Sequence, residues 1–413
     1  MFQYTKSLLF DGFELGLMRK TSMGKILKAI YFTFYRIRIR RLAFTRKRKK
    51  IENNTITILK YDGIGDFIIF LDAAKGLREL YKDKRIVLSC PISVATMAQK
   101  TGYFDDIVVF RKKEFAYIGL RKAKQKSQLL NCELLLHLSF SRDFTSEVLA
   151  SFINANKKIS VPYSYLFSKK DKKWAYSLYD VFLDIPLDIM CLHQNKCVLH
   201  ELGNQRFTSS FPRLPTLEEN HLYVPENDYY VLFLGGSTSA KKWSVANYYK
   251  IAEQVDKLTN CTCVLAGTSE EKAQEAYFLD RNLNFYSYIG KTNLEELQKL
   301  IENAKFVIGN DTSAIHMAAA LGVPSVCVSS SASSNRFYPY DVDNNNGVAP
   351  ICVKKDVPCK GCSFSSDTFL SCLRNRSINS VKQCINEIGV EEVLNQVEIM
   401  IEKYKTRRDN CYE

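Results

Sequence analysis

Several things are missing from this chain, and each absence excludes a class of protein. No continuous apolar segment marks the start as a secretory signal, so none is expected. In the N-terminal fifty residues the longest uncharged run is Ala29 to Tyr35, far short of the ~20 residues a membrane span requires. Acidic residues are nearly absent there too. Residues 1–50 carry fourteen Lys and Arg against Asp11 and Glu14, a balance of +12, which leaves only +2 for the other 363 residues. The basicity therefore belongs to one arm. Gly-Lys-Ser/Thr of a Walker A loop does not occur in the glycine-rich stretch 235–243. The loop 62–66 has two glycines where a dinucleotide fingerprint needs three. The thirteen cysteines follow no disulfide framework: nine are scattered, several of them (Cys132, Cys261, Cys263, Cys327) in apolar runs. Buried free thiols of this kind favour a reducing cytosol.

What is present reads as a large soluble α/β protein. A hydrophobic content of 46% with 25% charged residues suits two domains with substantial cores. In the arm, Ile26, Leu27, Ile30, Tyr31 and Phe34 recur at helical spacing among Lys25, Lys28 and Arg36; from Tyr35 the pattern alternates (RIRIRR), which weakens the helical signal. Aromatic and basic residues on an amphipathic segment fit an anionic membrane surface, and a solvated tail would show the same composition. Nucleic acid is not expected as a partner, because no binding module accompanies the charge.

Beyond the arm, strands and helices are predicted to alternate. Strands are expected at 56–61, 85–90, 105–110 and 132–138, with helices over 67–81, 94–100, 114–130 and 145–154. Residues 156–226 are polar, aromatic and proline-containing, and read as a bridge. A second alternating set begins at 229–236 and continues through 261–267, 285–290 and 306–308 to 326–328, with helices over 245–258, 270–280, 294–303 and 314–321. Alternation of this kind implies parallel sheets flanked by helices, hence two facing Rossmann-type domains with ligands beyond the carboxyl ends of the strands. A final helix is expected from Val390 to Lys405.

Four loops fall at those strand ends. Lys60 to Asp66 contains Gly63 and Gly65, with Asp66 at a helix entry, as a cap or as a general base. Gly235 to Trp243 brings Ser237, Thr238 and Lys241, whose hydroxyls and charge suit phosphate. Thr268 to Glu271 offers Glu270 and Glu271 to a ribose or base. Asn310 to His316 places Asp311, Thr312 and Ser313 at a helix N-terminus, a natural anion site, with His316 one turn in. A capped helix with a surface histidine would give the same pattern. Near the end, Cys359, Cys362, Cys372 and Cys384 contain one metal-knuckle spacing followed by two undiagnostic ones. Reduced thiols and a bound metal both fit.

The segments ILKYDGIGDFI, GGSTSAKKW and GKTNLEELQKLIENAKFVIGNDTSAIHMAAALGVP, with the trailing cysteines, together resemble glycosyltransferase family 9, the heptosyltransferases of lipopolysaccharide synthesis. The resemblance spans roughly residues 55–400 in order and excludes the arm. It implies the GT-B fold, two facing Rossmann-like domains with the active site in the inter-domain cleft. An acceptor domain would cover 51–215, following the arm at 1–50. A nucleotide-sugar domain would cover 225–390, including the cysteine cluster within 352–384, followed by the terminal helix and tail at 390–413. It implies an inverting transferase that moves a heptose or related sugar, ADP-linked, to a lipopolysaccharide or other envelope glycan. The place of action would be the cytoplasmic side of the inner membrane, with peripheral attachment through residues 1–50.

By the same resemblance, Asp66 is the base, with Lys60, Gly63 and Gly65 on the acceptor side. Lys241, Ser237 and Thr238 meet the donor phosphates, Glu270 or Glu271 and Thr292 meet the nucleoside, and Asp311, Thr312, Ser313 and His316 complete the donor site. No catalytic metal is implied, and no DxD-type carboxylate pair appears where it could hold one. The branch acting on autotransporter proteins uses a similar cysteine quartet for iron, so a structural iron or zinc is a candidate here. Ser313 replaces the family's usual glycine, and Ser329-Ser330-Ser331 stands where Gly-Pro-Thr is common, so the resemblance does not extend to the donor sugar. Two alternatives remain: transfer to a protein acceptor of the autotransporter type, and a non-catalytic, membrane-docked nucleotide-sugar-binding protein.

Overall fold

The computed structural model describes residues 22–43, 50–162, 169–217, 224–236, 241–281, 283–333, 335–342, 347–357, 360–361 and 383–409. They form two compact units. One comprises the described residues up to 62 together with 78–185; the other joins 63–77 to the described residues from 186 onward. These boundaries differ from the expected domains at 63–77 and at 186–215.

Among the described residues the order begins with helix α1 (Ser22–Ala43), strand β1 (Thr55–Leu59) and helix α2 (Ile64–Leu80), the last lying mostly in the second unit. The first unit continues with β2 (Arg85–Cys90), α3 (Ile92–Lys100), β3 (Asp106–Val109), α4 (Leu120–Lys126), β4 (Cys132–His137), α5 (Phe144–Phe152), β5 (Ala155–Ser160), α6 (Lys169–Tyr176) and β6 (Val181–Phe182). Its sheet runs β3-β2-β1-β4-β5-β6, parallel throughout. The TITIL of β1 is buried on both faces, as a central parallel strand is, and the Thr57 hydroxyl is satisfied by the Leu130 carbonyl at 2.9 Å.

Three expectations fail here for local reasons. The helix over 114–130 is broken. A 3₁₀ turn at Lys112–Phe115 ends before Gly119, where an added Cβ would lie 2.4 Å from the Glu114 carbonyl, and only α4 is α-helical. The bridge at 156–226 holds two strands of the sheet. Its β5 is disguised by Lys158, which is buried and donates to the Ala150 carbonyl at 2.6 Å. Finally, α1 runs unbroken to Ala43 despite the alternating RIRIRR. Tyr35 and Ile39, four residues apart, are buried in the first unit's core, and the Tyr35 hydroxyl donates to the Phe115 carbonyl at 2.6 Å. Over residues 33–43 the arm is thus a packed helix.

The second unit adds α7 (Cys191–Glu201), β7 (Tyr229–Phe233), α8 (Val245–Leu258), β8 (Thr262–Ala266), α9 (Lys272–Leu279), β9 (Phe285–Ser287), α10 (Leu294–Glu302), β10 (Val307–Asn310), α11 (Ser313–Ala320), β11 (Ser325–Val328), β12 (Ile351–Val353), α12 (Gln383–Asn386) and α13 (Val390–Asp409). Its sheet order is β12-β11-β10-β7-β8-β9, again parallel. Successive strands depart in opposite directions from the β7/β10 pair, which makes the carboxyl end of that pair the topological switch point where ligands bind. Among the described residues no helix is long and apolar enough to cross a membrane.

Candidate functional site

A cavity of about 550 Å³ opens in the second unit at that switch point. Its wall is built by the loops after β7, β8 and β10 and by the first turn of α2. Gly63, Gly65, Asp66, Lys241, Glu270, Glu271, Asp311, Thr312, Ser313 and His316 all line it, so most of the residues singled out in the sequence converge. Ser237 and Thr238 lie outside the described residues. Lys60 and Thr292 are placed elsewhere. Lys60 belongs to the first unit, where its buried ammonium donates to Asp62 Oδ2 at 2.9 Å and to the Leu138 carbonyl at 3.1 Å. Thr292 is half-buried just ahead of α10 and does not line the cavity.

Two helix N-termini meet in this wall. The first turn of α2 packs against the first turn of α11 so closely that a Cβ at Gly65 would come within 2.7 Å of His316 Cδ2. Only glycine allows that approach. Thr312, the extended N-cap of α11, does not cap the helix with its side chain, and its hydroxyl is buried without a hydrogen-bond partner among the described residues. Unpaired N–H groups and the positive ends of two helix dipoles thus face one space, joined by the Lys241 ammonium. The arrangement suits a diphosphate.

Asn310 aligns the lysine loop. Fully buried, it accepts from the Trp243 N–H at 2.9 Å and donates to the carbonyls of Leu234 and Gly235. Trp243 is pinned in turn by its indole N–H on the Ile388 carbonyl at 3.0 Å. Lys241 reaches Asp311 Oδ2 at 3.3 Å, and Asp311 Oδ1 lies 3.9 Å from His316 Nε2. The other imidazole nitrogen, Nδ1, pairs with the Tyr340 hydroxyl at 2.8 Å, while Tyr338 stacks on the ring at 13°. Burial holds the imidazole below its usual range, against the pull of Asp311 and Asp66 toward protonation, and Lys241 adds to the effect of burial. His316 is therefore a neutral polar group held among aromatic rings.

The two adjacent glutamates have different environments. Glu271 is buried, with Oε2 accepting from the backbone N–H and the hydroxyl of Thr268 and Oε1 taking Lys242 Nζ at 2.6 Å. Burial works to raise its pKa, but the lysine and threonine hydrogen bonds bring it below the usual carboxylate range. Glu270 is exposed at the cavity. The sequence carried this distinction as a capping box, Thr268-x-x-Glu271, which commits the second glutamate to the backbone. One residue left no such signal. Arg336, in the connection between β11 and β12, donates from Nη2 to Asp66 Oδ1 at 2.9 Å.

Of the cysteine quartet, Cys384 is half-buried in α12, and the other three lie outside the described residues. Among the described residues, no group of three or more His, Cys, Asp or Glu side chains is placed to hold a metal ion.

Two six-stranded parallel sheets in Rossmann order, with an anion-suited cavity at the switch point of the second, define a GT-B protein. The model of glycosyltransferase family 9 (heptosyltransferase) matches residues 146–361, just over half of the chain, and the chain belongs to that family. It is 23% identical over 184 residues to lipopolysaccharide heptosyltransferase 1 of Pseudomonas aeruginosa PAO1, a match covering 43% of this chain. The chain spans about half the length of that curated relative. Among solved structures, it is similar to a family 9 glycosyltransferase from Veillonella parvula. The TM-score there is 0.67 at 16% identity, covering 86% of this chain and 100% of the other. It is also similar to the ADP-heptose lipopolysaccharide heptosyltransferase II of E. coli. In that case the TM-score is 0.61 at 14% identity, covering 85% and 99%.

Proposed function

We propose that this chain is an inverting glycosyltransferase that moves a heptose or related sugar from an ADP-linked donor to a lipopolysaccharide or other lipid-linked envelope glycan. One observation carries the reading: Asp66, Lys241, Glu270, the α11 N-terminus and His316 share one cavity of about 550 Å³. Asp66 takes the proton from an acceptor hydroxyl, whose oxygen attacks the anomeric carbon from the face opposite the diphosphate. The bond from that carbon to the diphosphate oxygen breaks, and the nucleoside diphosphate leaves with the electron pair. Lys241 and the helix ends of α2 and α11 stabilise the charge that develops there. Glu270 faces the nucleoside, since Glu271 is occupied by Thr268 and Lys242. No step in this scheme calls on a metal.

In this reading the diphosphate takes over the lysine that Asp311 holds at 3.3 Å. Removing that lysine in Lys241→Ala should cost about 1.5–3 kcal/mol of ADP affinity, the scale of one charge-assisted hydrogen bond, or roughly 10- to 150-fold. Adenosine affinity should stay within about twofold. Calorimetric titration of both ligands into both proteins decides the matter. Equal losses for both ligands, or none, would put Lys241 outside the phosphate site. Brief chelation by EDTA should leave transfer unchanged.

A membrane contact on the cytoplasmic side is part of the same reading. The outward face of α1 presents Phe34 and Ile37, 59% and 42% exposed, beside exposed Arg40 and Arg41. Next to it, Arg36 and Arg40 share a shallow pocket with Trp174 of α6. Apolar side chains interleaved with cations fit the boundary between anionic headgroups and acyl chains. Because Tyr35 and Ile39 of the same helix are core residues, deletion of 1–50 would damage the fold, and a surface change is the cleaner test. Phe34→Ser with Ile37→Ser should weaken sedimentation with phosphatidylglycerol vesicles at least tenfold without lowering the melting temperature. Undiminished sedimentation would remove α1 from the contact.

A further inference from the structure

We infer that Arg336 is a positioning residue for the transfer step, holding the Asp66 carboxylate at the cavity through a guanidinium ion pair. The inference rests on the reading of Asp66 as the base. The two residues are 270 positions apart, and both belong to the second unit. Their side chains are only 11% and 17% exposed, so solvent screens this pair far less than a surface salt bridge.

Arg336 is itself held from two sides. Its backbone carbonyl accepts the Cys191 N–H at 2.8 Å, where α7 begins. Its guanidinium carbon lies 4.9 Å from the centre of the Phe337 ring. Phe337 lines the cavity, and the Lys241 ammonium lies 5.6 Å from the centre of the same ring. One aromatic ring thus carries both the cation that holds the base and the cation assigned to the phosphates. A planar, permanently charged guanidinium can lie against that ring while donating to a carboxylate; an ammonium cannot do both with the same geometry. Without the arginine, the Asp66 side chain would lose the partner that fixes Oδ1, and small misplacements of a catalytic group carry large rate penalties.

A purely structural brace predicts something different. It would lower the melting temperature and leave the turnover of the folded protein alone. The deciding experiment measures kcat and acceptor KM with ADP-heptose and deacylated lipopolysaccharide for the full-length wild type, Arg336→Gln, Arg336→Lys, Asp66→Asn and the Asp66→Asn/Arg336→Gln double variant. ADP titration and thermal unfolding of each variant verify that it is folded. Arg336→Gln should lower kcat by about 10- to 100-fold with ADP affinity within threefold. Arg336→Lys should recover part of that loss. In the Asp66→Asn background the same change should alter kcat less than threefold, because no base remains to be positioned. An unchanged kcat in Arg336→Gln overturns the inference, as does an equal proportional loss with and without Asp66. A wild type that shows no turnover overturns the transferase reading itself, and this inference with it.

Discussion

Asp66→Asn should reduce turnover by a factor of 10² or more, the scale of losing a general base, while ADP binds within about threefold of the wild type. The asparagine is nearly isosteric and can still accept from Arg336, so the first turn of α2 keeps its place against α11. The effect should therefore appear in kcat and leave the cavity intact. Rapid-quench measurement of sugar transfer in a single turnover isolates the step from product release. Near wild-type single-turnover rates would assign the proton to another group and make Asp66 a helix-terminal carboxylate only.

The second large effect is expected in the first unit. Arg142 and Glu147 form an ion pair whose side chains are both 0% exposed. The guanidinium also donates to the carbonyls of Ser139, His137 and Val161 and to the Ser160 hydroxyl, tying the ends of β4 and β5 together. Tyr179 donates its hydroxyl proton to Glu147 Oε2 at 2.7 Å and lies 2.5 Å from His137 Nδ1. With the tyrosine proton committed to the glutamate, the imidazole carries its own proton on Nδ1. Glu147→Ala leaves the arginine charge buried without its counter-ion, which should cost about 3–5 kcal/mol. Urea unfolding monitored by Trp174 fluorescence would read it, and a loss below about 1 kcal/mol would contradict the assignment. Burial, with Arg142 and Lys60, pushes the His137 imidazole well below the usual histidine range. A depressed folded-state value means that stability is fully present above the unfolded value near 6.5 and is lost as the pH falls below it. Mild acid should therefore weaken this unit, and His137→Gln should flatten that slope.

Much of the second unit could be read directly from the residues. Buried parallel strands such as YYVLF and TCVLA are short apolar runs between turn residues, and helices such as α10 announce themselves through Asn293 and Glu296, a capping box four residues wide. Because strand order dictates which loops share an edge, the cavity residues could be grouped before any coordinates existed. Other features depend on partners distant in the chain. The strand character of β5 is hidden by Lys157 and Lys158, of which Lys158 is buried and donates to the Ala150 carbonyl. The helical form of α1 past Tyr35 depends on Phe115, eighty residues on. Arg336 follows no periodic element and lies among aromatic residues, so nothing local to it announces a carboxylate partner at position 66. Local spacing reports hydrogen bonds made within a turn; it is silent on those closed by tertiary packing.

The membership of α2 has a consequence for how the protein is made. Residues 63–77 follow β1 directly, yet they belong to the second unit, where Ile69 receives Asn195, Asp72 receives Ser210, Gly76 abuts Phe207 and Gly65 meets His316. During synthesis this segment, with its consecutive buried Phe67-Ile68-Ile69-Phe70-Leu71, leaves the ribosome well over a hundred residues before the first of those partners and about 250 before His316. At the usual 5–20 residues per second, that is a wait on the order of ten seconds or more before its last contacts can close. The helix that brings Asp66 to the cavity thus emerges long before the partners that complete it. Nascent-chain folding should show the second unit maturing only after His316 has emerged, with a holdase binding site at 67–71 until then.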